Sequence, residues 1–469
     1  MCKRKIIISY FIILALCVNI FLLSCGNNNH SSLPEILHPN IDVNNPNDVI
    51  EHHKSDENDL SARIQLNLAT LIDQTELMSA VRQFNNTSTT YFIEVINYSD
   101  FLDDSNFDWS VPLNRMIVDI ITGNVADIYN VAGLPFHQFA TRGLFEDLYP
   151  FIDADDELNR SDLMSNVLRA AEIDGNLYNV FPYFTISTLL GNPTVLGRDS
   201  GWDMEEFKAV LMSNPLADMP IGDRFDKESL LRFFLRYNLD EYIDWVSGTT
   251  YFDRGDFEEL LSFANTFPNE FPLGYQRQEE HELISTGRQL VTETDFSNFF
   301  VLRYYRALYG GELVFKGFPA ENRDGHAIDF QTSIAITSIS KNKSGAWEFV
   351  RMFLTEDFQT ENNLLGRFPT NKTVFNSMLT EAVMSERFEY DIGTRESPFY
   401  IMIEAITQDE VSQIMQLIDS ITRTVQRNDA LMNIIMETTS DFFNNKITIQ
   451  DAVRIIQSRA SIYVAEHSR

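Results

Sequence analysis

One stretch near the N-terminus alternates between segments typical of strands and segments typical of helices. Residues 62–71, 90–99 and 126–131 have the apolar, β-branched composition of short strands, and the segments between them repeat apolar residues every three or four positions. The order strand, helix, strand, helix, strand predicts an α/β fold with a parallel sheet and crossover helices. Ligands of such sheets lie beyond the carboxyl ends of the strands, which here fall at residues 71–73 and 129–133.

The length of the chain indicates more than one hydrophobic core. Roughly 410 residues follow residue 59, which is more than a single core usually supports. We expect two lobes, each built from two separate stretches of the chain. The predicted N-terminal lobe takes residues 60–180 and 328–375, and the predicted C-terminal lobe takes residues 181–327 and 376–469.

The first 24 residues have the pattern of a lipoprotein signal peptide. A basic start is followed by an apolar run over residues 6–23, and then by Ser24 and Cys25. A small residue before a cysteine at this place resembles the bacterial lipobox, so we predict that Cys25 is acylated and anchors the chain to the outer face of the cell membrane. An uncleaved anchor is the alternative, because about 18 apolar residues are the lower limit for a membrane span.

The cysteine count and the composition after Cys25 agree with a lipid anchor. The other two cysteines, Cys2 and Cys17, lie inside the predicted signal, which leaves no pair for a disulfide. Residues 25–59 are rich in Asn, Ser, Asp, His and Pro and poor in aliphatic residues. Such a segment cannot bury enough apolar surface to fold alone, so we predict a flexible tether that follows the acylated cysteine.

The charge of the chain excludes one class of partner. Its 36 Lys and Arg residues stand against 68 Asp and Glu residues, a formal net charge of −32. A surface this acidic repels phosphate backbones, so nucleic-acid binding is not expected. It also repels anionic lipid headgroups, which favours an anchor with a spacer over adsorption to the membrane.

Four segments resemble, in order and spacing, the extracellular solute-binding proteins (family 1, maltose-binding-like) of bacterial ABC transporters. They are TGNVADIYNV, GLFEDLYPFI, DGNLYNVFPYFTISTLLGNPTVLGRDSGWDMEEF and DFQTSIAITSISKNKSGAWEFVRMFLTEDFQ. The resemblance implies a two-lobed periplasmic-binding-protein-like type II fold with hinge crossings and a central ligand cleft. It further implies a monomer without cofactor or metal, which closes on a solute, by preference an oligosaccharide, and delivers it to the permease subunits of an ABC transporter.

The same resemblance suggests ligand-binding residues. Sugar recognition uses flat aromatic faces for the ring and carboxylates, amides or guanidinium groups for the hydroxyls. Matched by position along the chain, the candidates are Asp73, Asn130, Tyr183, Trp245, Asp295, Phe296 and Arg367. The sequence departs from the sugar-binding pattern at Val131, which stands where the maltose-binding type has a stacking tryptophan, and this leaves the class of solute open.

Three other functions fit parts of the sequence. A glycosidase could use paired acids, but adjacent acids such as Glu205 and Glu206 usually form a solvated helix face, and no serine-hydrolase or zinc motif occurs. We therefore do not expect an enzyme. A lipid-anchored sensor for a kinase would have the same fold, and so would a receptor for a peptide or a polyol.

Overall fold

The computed structural model describes residues 63–102, 108–123, 126–245, 247–271, 275–393, 397–425 and 427–467. The predicted signal peptide, Cys25 and the tether lie outside these residues. None of the helices in this part of the chain is both long enough and apolar enough to cross a membrane.

Strands and helices alternate over most of the described chain. The strands are β1 Ile64–Thr70, β2 Tyr91–Asn97, β3 Ile128–Asn130, β4 Tyr183–Gly191, β5 Ile243–Asp244, β6 Thr249–Thr250, β7 Val291–Phe296, β8 Val314–Phe315, β9 Ala327–Asp329, β10 Ile334–Ile336, β11 Phe368–Pro369, β12 Phe388–Asp391 and β13 Tyr400–Ile403. The helices are α1 Thr75–Thr87, α2 Ser110–Thr122, α3 Phe136–Thr141, α4 Tyr149–Asp153, α5 Ser165–Ala170, α6 Pro193–Leu196, α7 Met204–Ser213, α8 Lys227–Asn238, α9 Gly255–Ala264, α10 Glu280–Ser285, α11 Phe299–Leu308, α12 Lys343–Val350, α13 Glu356–Glu361, α14 Lys372–Met384, α15 Gln408–Ser420, α16 Asp429–Phe443 and α17 Ile449–His467.

The first sheet has the strand order β10, β3, β1, β2. Strand β1 runs parallel to β2 and to β3, as the alternating pattern of the sequence predicts. Strand β10 arrives from much later in the chain and pairs antiparallel with β3, with Ile334 opposite Asn130. The carboxyl ends of β1 and β3 therefore lie side by side, and the loops that follow them form one edge of the sheet.

Strand β4 joins the two main parts of the described chain. All nine of its residues are buried, and it pairs antiparallel with β7, β8, β9 and β11. Phe184 and Ile186 belong to one hydrophobic cluster, whereas Leu189 belongs to another. Leu190 belongs to the first cluster again, so the strand lies between the two clusters and its alternate side chains pack in one or the other.

Two large hydrophobic clusters form the main cores. The first surrounds the first sheet and includes Leu66, Ile128 and Phe349. The second lies among α7, α8, α9, α16 and α17 and includes Phe234 and Ile456. Two smaller clusters cover the outer face of β3 and the underside of the β12–β13 hairpin.

The C-terminal segment is divided between the two main cores. Ile414 and Ile418 of α15 pack in the first cluster, and the Asn166 amide donates to the Ile418 carbonyl at 2.6 Å. Helices α16 and α17 pack in the second cluster. The C-terminal segment therefore contributes to both clusters.

Candidate ligand cleft

Strand β7 carries two acidic side chains on one face. Glu293 and Asp295 are two residues apart, so the strand places both on the same side, where both reach solvent, whereas Thr294 and Phe296 on the other side are buried. Ser187 on the neighbouring β4 donates its hydroxyl to Asp295 Oδ1 at 2.7 Å. These two strands supply the floor of the candidate site.

Three carboxylates and three guanidinium groups surround this floor, and we call them the charged row. Its members are Arg224, Arg236, Glu293, Asp295, Asp329 and Arg427. Ion pairs join Arg224 to Glu293 and Arg427 to Asp329. Tyr237 also donates its hydroxyl to Glu293 Oε1 at 3.1 Å.

Asp295 and Arg236 differ from the other members because neither forms an ion pair with another described residue. Burial raises the pKa of the Asp295 carboxyl, and the charges of Glu293 and Asp329 raise it further. Burial by itself would lower the pKa of the Arg236 guanidinium group. The nearby Tyr237, Asp329 and Asp295 outweigh this effect, so the pKa of Arg236 is raised. Both side chains are exposed to solvent although other parts of the protein surround them, as expected of residues that line a cleft.

Next to the charged row lies a small cavity, which we call the Trp245 cavity. Its lining residues are Pro135, His137, Gln138, Leu239, Asp240, Trp245, Arg427 and Asn428. The first three follow β3 of the first sheet, and the others belong to the segments around α8 and α16 on the side of the second core. The space between them is about 10 Å³, enough for about one water molecule.

Three polar atoms in the lining of this cavity have no hydrogen-bond partner among the described residues. They are His137 Nδ1, Gln138 Nε2 and Asn428 Nδ2. Gln138 and Asn428 are only 6% and 8% exposed. Burial lowers the pKa of His137, although Asp174 opposes this effect, so its ring is neutral near pH 7. Buried polar groups normally find partners, so three orphaned atoms in one place are unusual.

Three of the sequence-predicted residues take part in contacts on the side of the first sheet. Asn130 donates to Thr70 Oγ1 at 3.3 Å and accepts from the Ser333 amide at 3.1 Å. Arg367 donates to Glu76 Oε1 at 2.7 Å. Tyr183 donates its hydroxyl to the Gln359 carbonyl at 3.1 Å. Each of the three is buried and committed to protein partners.

The other predicted residues lie in different settings. Asp73 is exposed in the loop after β1 and forms no side-chain hydrogen bond or ion pair with a described residue. Phe296 is 0% exposed and packs against Phe315 and Phe368, so its ring faces the core. Asp295 lies in the charged row, and Trp245 lines the cavity beside it.

Several residues of the site were not among those predicted from the sequence. They are His137, Gln138, Arg224, Arg236, Glu293, Asp329, Arg427 and Asn428. The alternation along β7 is a signal that could have identified Glu293 together with Asp295. Nothing comparable marks Gln138 or Asn428, because their significance depends on contacts between distant parts of the chain.

Comparison with known proteins relates the chain to solved structures through its fold. No protein-family model matches the sequence, and no curated protein matches it. The sugar-binding protein MalE from Xanthomonas citri superposes with a TM-score of 0.55 at 12% identity, covering 86% of this chain and 98% of that one. A periplasmic oligogalacturonide-binding protein from Yersinia enterocolitica superposes with a TM-score of 0.54 at 13% identity, covering 87% of this chain and all of that one.

A de novo designed cysteine esterase also superposes, with a TM-score of 0.55 at 13% identity, over 87% of this chain and all of that one. Being designed, it is no evidence of a natural enzyme relative. In the described part of the chain no group of three or more His, Cys, Asp or Glu side chains is arranged to hold a metal ion. The α/β architecture and these superpositions show that the chain has the two-lobed fold of periplasmic binding proteins such as these two.

Proposed function

We propose that the protein is a membrane-tethered receptor that captures a carbohydrate between two lobes and delivers it to an ABC permease. The observation that carries this proposal is the charged row, in which Asp295 and Arg236 reach solvent and neither forms an ion pair with another described residue. A carboxylate and a guanidinium group are an acceptor and a donor for sugar hydroxyls. Two structures with the same fold are described as sugar-binding and oligogalacturonide-binding proteins.

The two main hydrophobic clusters are the cores of the two proposed lobes. We place residues 63–180 and most of 330–421 in the first lobe, and the second-cluster segments between 189 and 318 together with residues 428–467 in the second. The crossing strand β4 connects them. A ligand that contacts both lobes binds the closed state more tightly than the open state and shifts the population toward closure.

Asp295, Arg236 and Trp245 are the residues that we expect to contact the ligand, with Asp73 at the edge of the first sheet. Asn130, Tyr183 and Arg367 support the cleft wall from behind, because the amide, the hydroxyl and the two terminal guanidinium nitrogens donate to protein partners. Phe296 contributes to the core rather than to the cleft.

The charge of the cleft favours an uncharged sugar. Its three carboxylates, Glu293, Asp295 and Asp329, lie among three guanidinium groups, so neither sign of charge dominates the charged row. A uronate or an ammonium group would disturb this balance, whereas neutral hydroxyl groups can use both the donors and the acceptors.

Catalysis is the less favoured function. Glycosidases place two carboxyl groups on either side of the bond that they cleave. Here Glu293 and Asp329 are each held in an ion pair, and only Asp295 of the three lacks a cationic partner.

The proposal also includes the lipid anchor at Cys25, the tether, the permease partner and the monomeric state. A lipid-anchored sensor would have the same cleft. It would differ from an import receptor because its partner in the membrane would be a kinase and not a permease.

A thermal unfolding screen tests the proposal. The full-length chain in detergent, followed by tryptophan fluorescence, is heated with neutral mono- and oligosaccharides, uronides, amino sugars, polyols and short peptides. A ligand that binds only the folded state adds about 2.7 kcal/mol at 100 times its dissociation constant. We expect a neutral oligosaccharide to raise the melting temperature. Stabilisation by peptides alone, or by none of these compounds, overturns the carbohydrate assignment.

A variant pair locates the site. Asp295→Asn removes the unpaired carboxylate but keeps an oxygen for the Ser187 hydroxyl, and we expect sugar affinity to fall at least about tenfold. Glu389→Gln makes the same change of charge on the exposed face of the β12–β13 hairpin and serves as the control. Equal affinities for the two variants place the ligand elsewhere.

A further inference from the structure

A second concave surface lies between α4 and α12, and we call it the Trp347 groove. Its volume is about 680 Å³, and both helices contribute side chains to the first hydrophobic cluster. The residues that form its two sides are Pro150, Phe151 and Ala154 on the side of α4, and Ser344, Trp347 and Arg351 on the side of α12. The last three are spaced by three and four residues, which places them on one helix face. None of these residues belongs to the charged row or lines the Trp245 cavity.

The floor of the Trp347 groove is apolar. The rings of Phe151 and Trp347 pack with their centroids 5.6 Å apart, and Phe151 is partly exposed. The Trp347 indole donates its only N–H group to Asp155 Oδ2 at 3.0 Å, so this ring has no polar atom left for a ligand. The floor is therefore suited to an aliphatic chain rather than to a polar head group.

The rim of the groove is acidic. Residues 155–157 supply three carboxylates, and Arg351 is the one cation among the lining residues. Arg351 donates to both oxygens of Asp155, at 2.7 and 2.8 Å, and to Glu157 Oε2 at 2.8 Å. Three carboxylates against one guanidinium group give the lining a formal charge of −2.

Two of the three carboxylates are available to a ligand. The Asp155 side chain is only 6% exposed. Burial opposes its charge, but hydrogen bonds from Arg351, the Glu157 amide and Trp347 outweigh this effect and lower its pKa to about 2. Asp156 is exposed and forms no ion pair with another described residue, and the Glu157 side chain is 78% exposed. The groove thus combines an apolar floor with two accessible negative charges at its edge.

We infer that the Trp347 groove is a docking site for a basic segment of a partner protein, whose lysine or arginine stems pack on the floor while their charged ends reach Asp156 and Glu157. These two side chains have an apolar stem that ends in a cation, which matches the division of the groove. A cation beside the aromatic floor gains a further attraction.

Charge decides which kind of partner fits. The formal charge of the chain is −32, so a second copy would bring more negative charge to an acidic rim. An anionic membrane surface would be repelled in the same way. A basic polypeptide is attracted, and its docking involves no residue of the proposed sugar cleft.

Fluorine NMR of the full-length chain in an uncharged detergent tests the inference. The four tryptophans are replaced with 5-fluorotryptophan during expression, and Trp347→Phe and Trp245→Phe assign the resonances of the groove and of the cavity. The probe is a blocked five-residue peptide with lysine at its second and fourth positions and alanine elsewhere. We expect it to shift the Trp347 resonance and to leave the Trp245 resonance unchanged.

A modified peptide and a variant pair test the role of charge. Acetylation of both lysines keeps the stems and removes their charges, so affinity should fall at least about fivefold. Asp156→Asn/Glu157→Gln in the protein should weaken binding of the unmodified peptide by a similar factor. Glu389→Gln/Asp391→Asn is the matched control, because it removes two exposed charges from β12, and it should bind as the parent does.

Each alternative result is decisive. A Trp347 resonance that does not respond to the lysine peptide overturns the inference, and so does an affinity unchanged by acetylation or by the Asp156→Asn/Glu157→Gln substitutions. A Trp347 resonance that shifts when the protein alone is diluted would mean that a second copy occupies the groove, and it would also overturn the inference. Because these titrations contain no sugar, they stand or fall separately from the test of the proposed function.

Discussion

The indole ring of Trp245 is partly exposed and lines its cavity beside residues of α3 and of the segments next to α8 and α16. A flat ring at such a place can pack against the apolar face of a sugar ring. We expect Trp245→Ala to weaken ligand binding by about 2 kcal/mol, the size typical of a buried aromatic contact, and to leave the fold intact. Calorimetric titration with the stabilising sugar measures this loss.

Trp109→Ala is the control for that experiment, because Trp109 is 41% exposed and lies outside the cavity lining. Its affinity should equal that of the parent. If Trp245→Ala also binds as the parent does, Trp245 is not part of the ligand site.

Glu241 gives the second prediction for a single residue. Burial raises the pKa of its carboxyl to about 7, Arg423 opposes this effect, and Asp240 adds to it. Because the pKa is higher in the folded state than in the unfolded one, Glu241 favours folding below about pH 4.5, and this stability is lost as the pH rises through 7. The loss is at most about 3 kcal/mol.

Glu241→Gln removes this titration and keeps an acceptor oxygen. We expect the variant and the parent to have similar melting temperatures near pH 5, and the variant to be the more stable by pH 8. Thermal unfolding at half-unit steps of pH measures the difference, with Glu389→Gln as a solvent-exposed control. A difference that does not change with pH contradicts the shifted pKa.

The neighbours Asp295 and Phe296 illustrate what position along the chain can and cannot predict. The resemblance suggested both as ligand-binding residues, but they are neighbours on a strand, where adjacent side chains point to opposite faces. Asp295 therefore faces the cleft and Phe296 the core. Arg236 was not predicted because an arginine on a helix is usually solvated, and only the distant carboxylates of β7 and β9 give it another role.

At the scale of elements, α15 begins with a capping box. Thr407 accepts from the Glu410 amide at 3.3 Å, and Glu410 accepts in return from the Thr407 amide at 2.8 Å. We expect Thr407→Ala to lower the free energy of unfolding by about 1 kcal/mol, because it removes one half of the box. Urea denaturation measures the change.

Thr407→Ser keeps the hydroxyl and should retain most of the stability. Equal losses for the two variants would show that the methyl group of Thr407, and not the cap, stabilises the start of α15.

Strongly patterned elements could be predicted from the sequence, and short inserted ones could not. The strands and helices from β1 to β3 follow their apolar periodicity, and the start of α17 follows from Thr448 and Asp451, whose side chains bond as a cap. The β12–β13 hairpin was not predicted from the sequence, because the segments on either side of it have the pattern of helices. Its alternation is only four residues long in each strand, which is too short to outweigh the helical segments on either side.

At the scale of the whole molecule, the Trp245 cavity sets a condition on how a sugar can enter. The space is about 10 Å³, which has room for about one water molecule, so a sugar ring could enter only if the residues that line the cavity moved apart. If the proposed ligand contacts both sides of this cavity, the unliganded protein must populate a more open arrangement that lets the ligand in.

This reasoning predicts a contraction on binding that small-angle X-ray scattering can measure. The same full-length sample, recorded without sugar and with a saturating concentration, should show a smaller radius of gyration when the sugar is present, because ligand contacts to both lobes shift the population toward closure. Trp245→Ala, at a sugar concentration raised to reach saturation, should contract by a similar amount, because the Asp295 carboxylate and the Arg236 guanidinium group remain to contact the ligand. Binding without contraction would mean that the ligand occupies one lobe alone, and the cleft would then be a site of capture without closure.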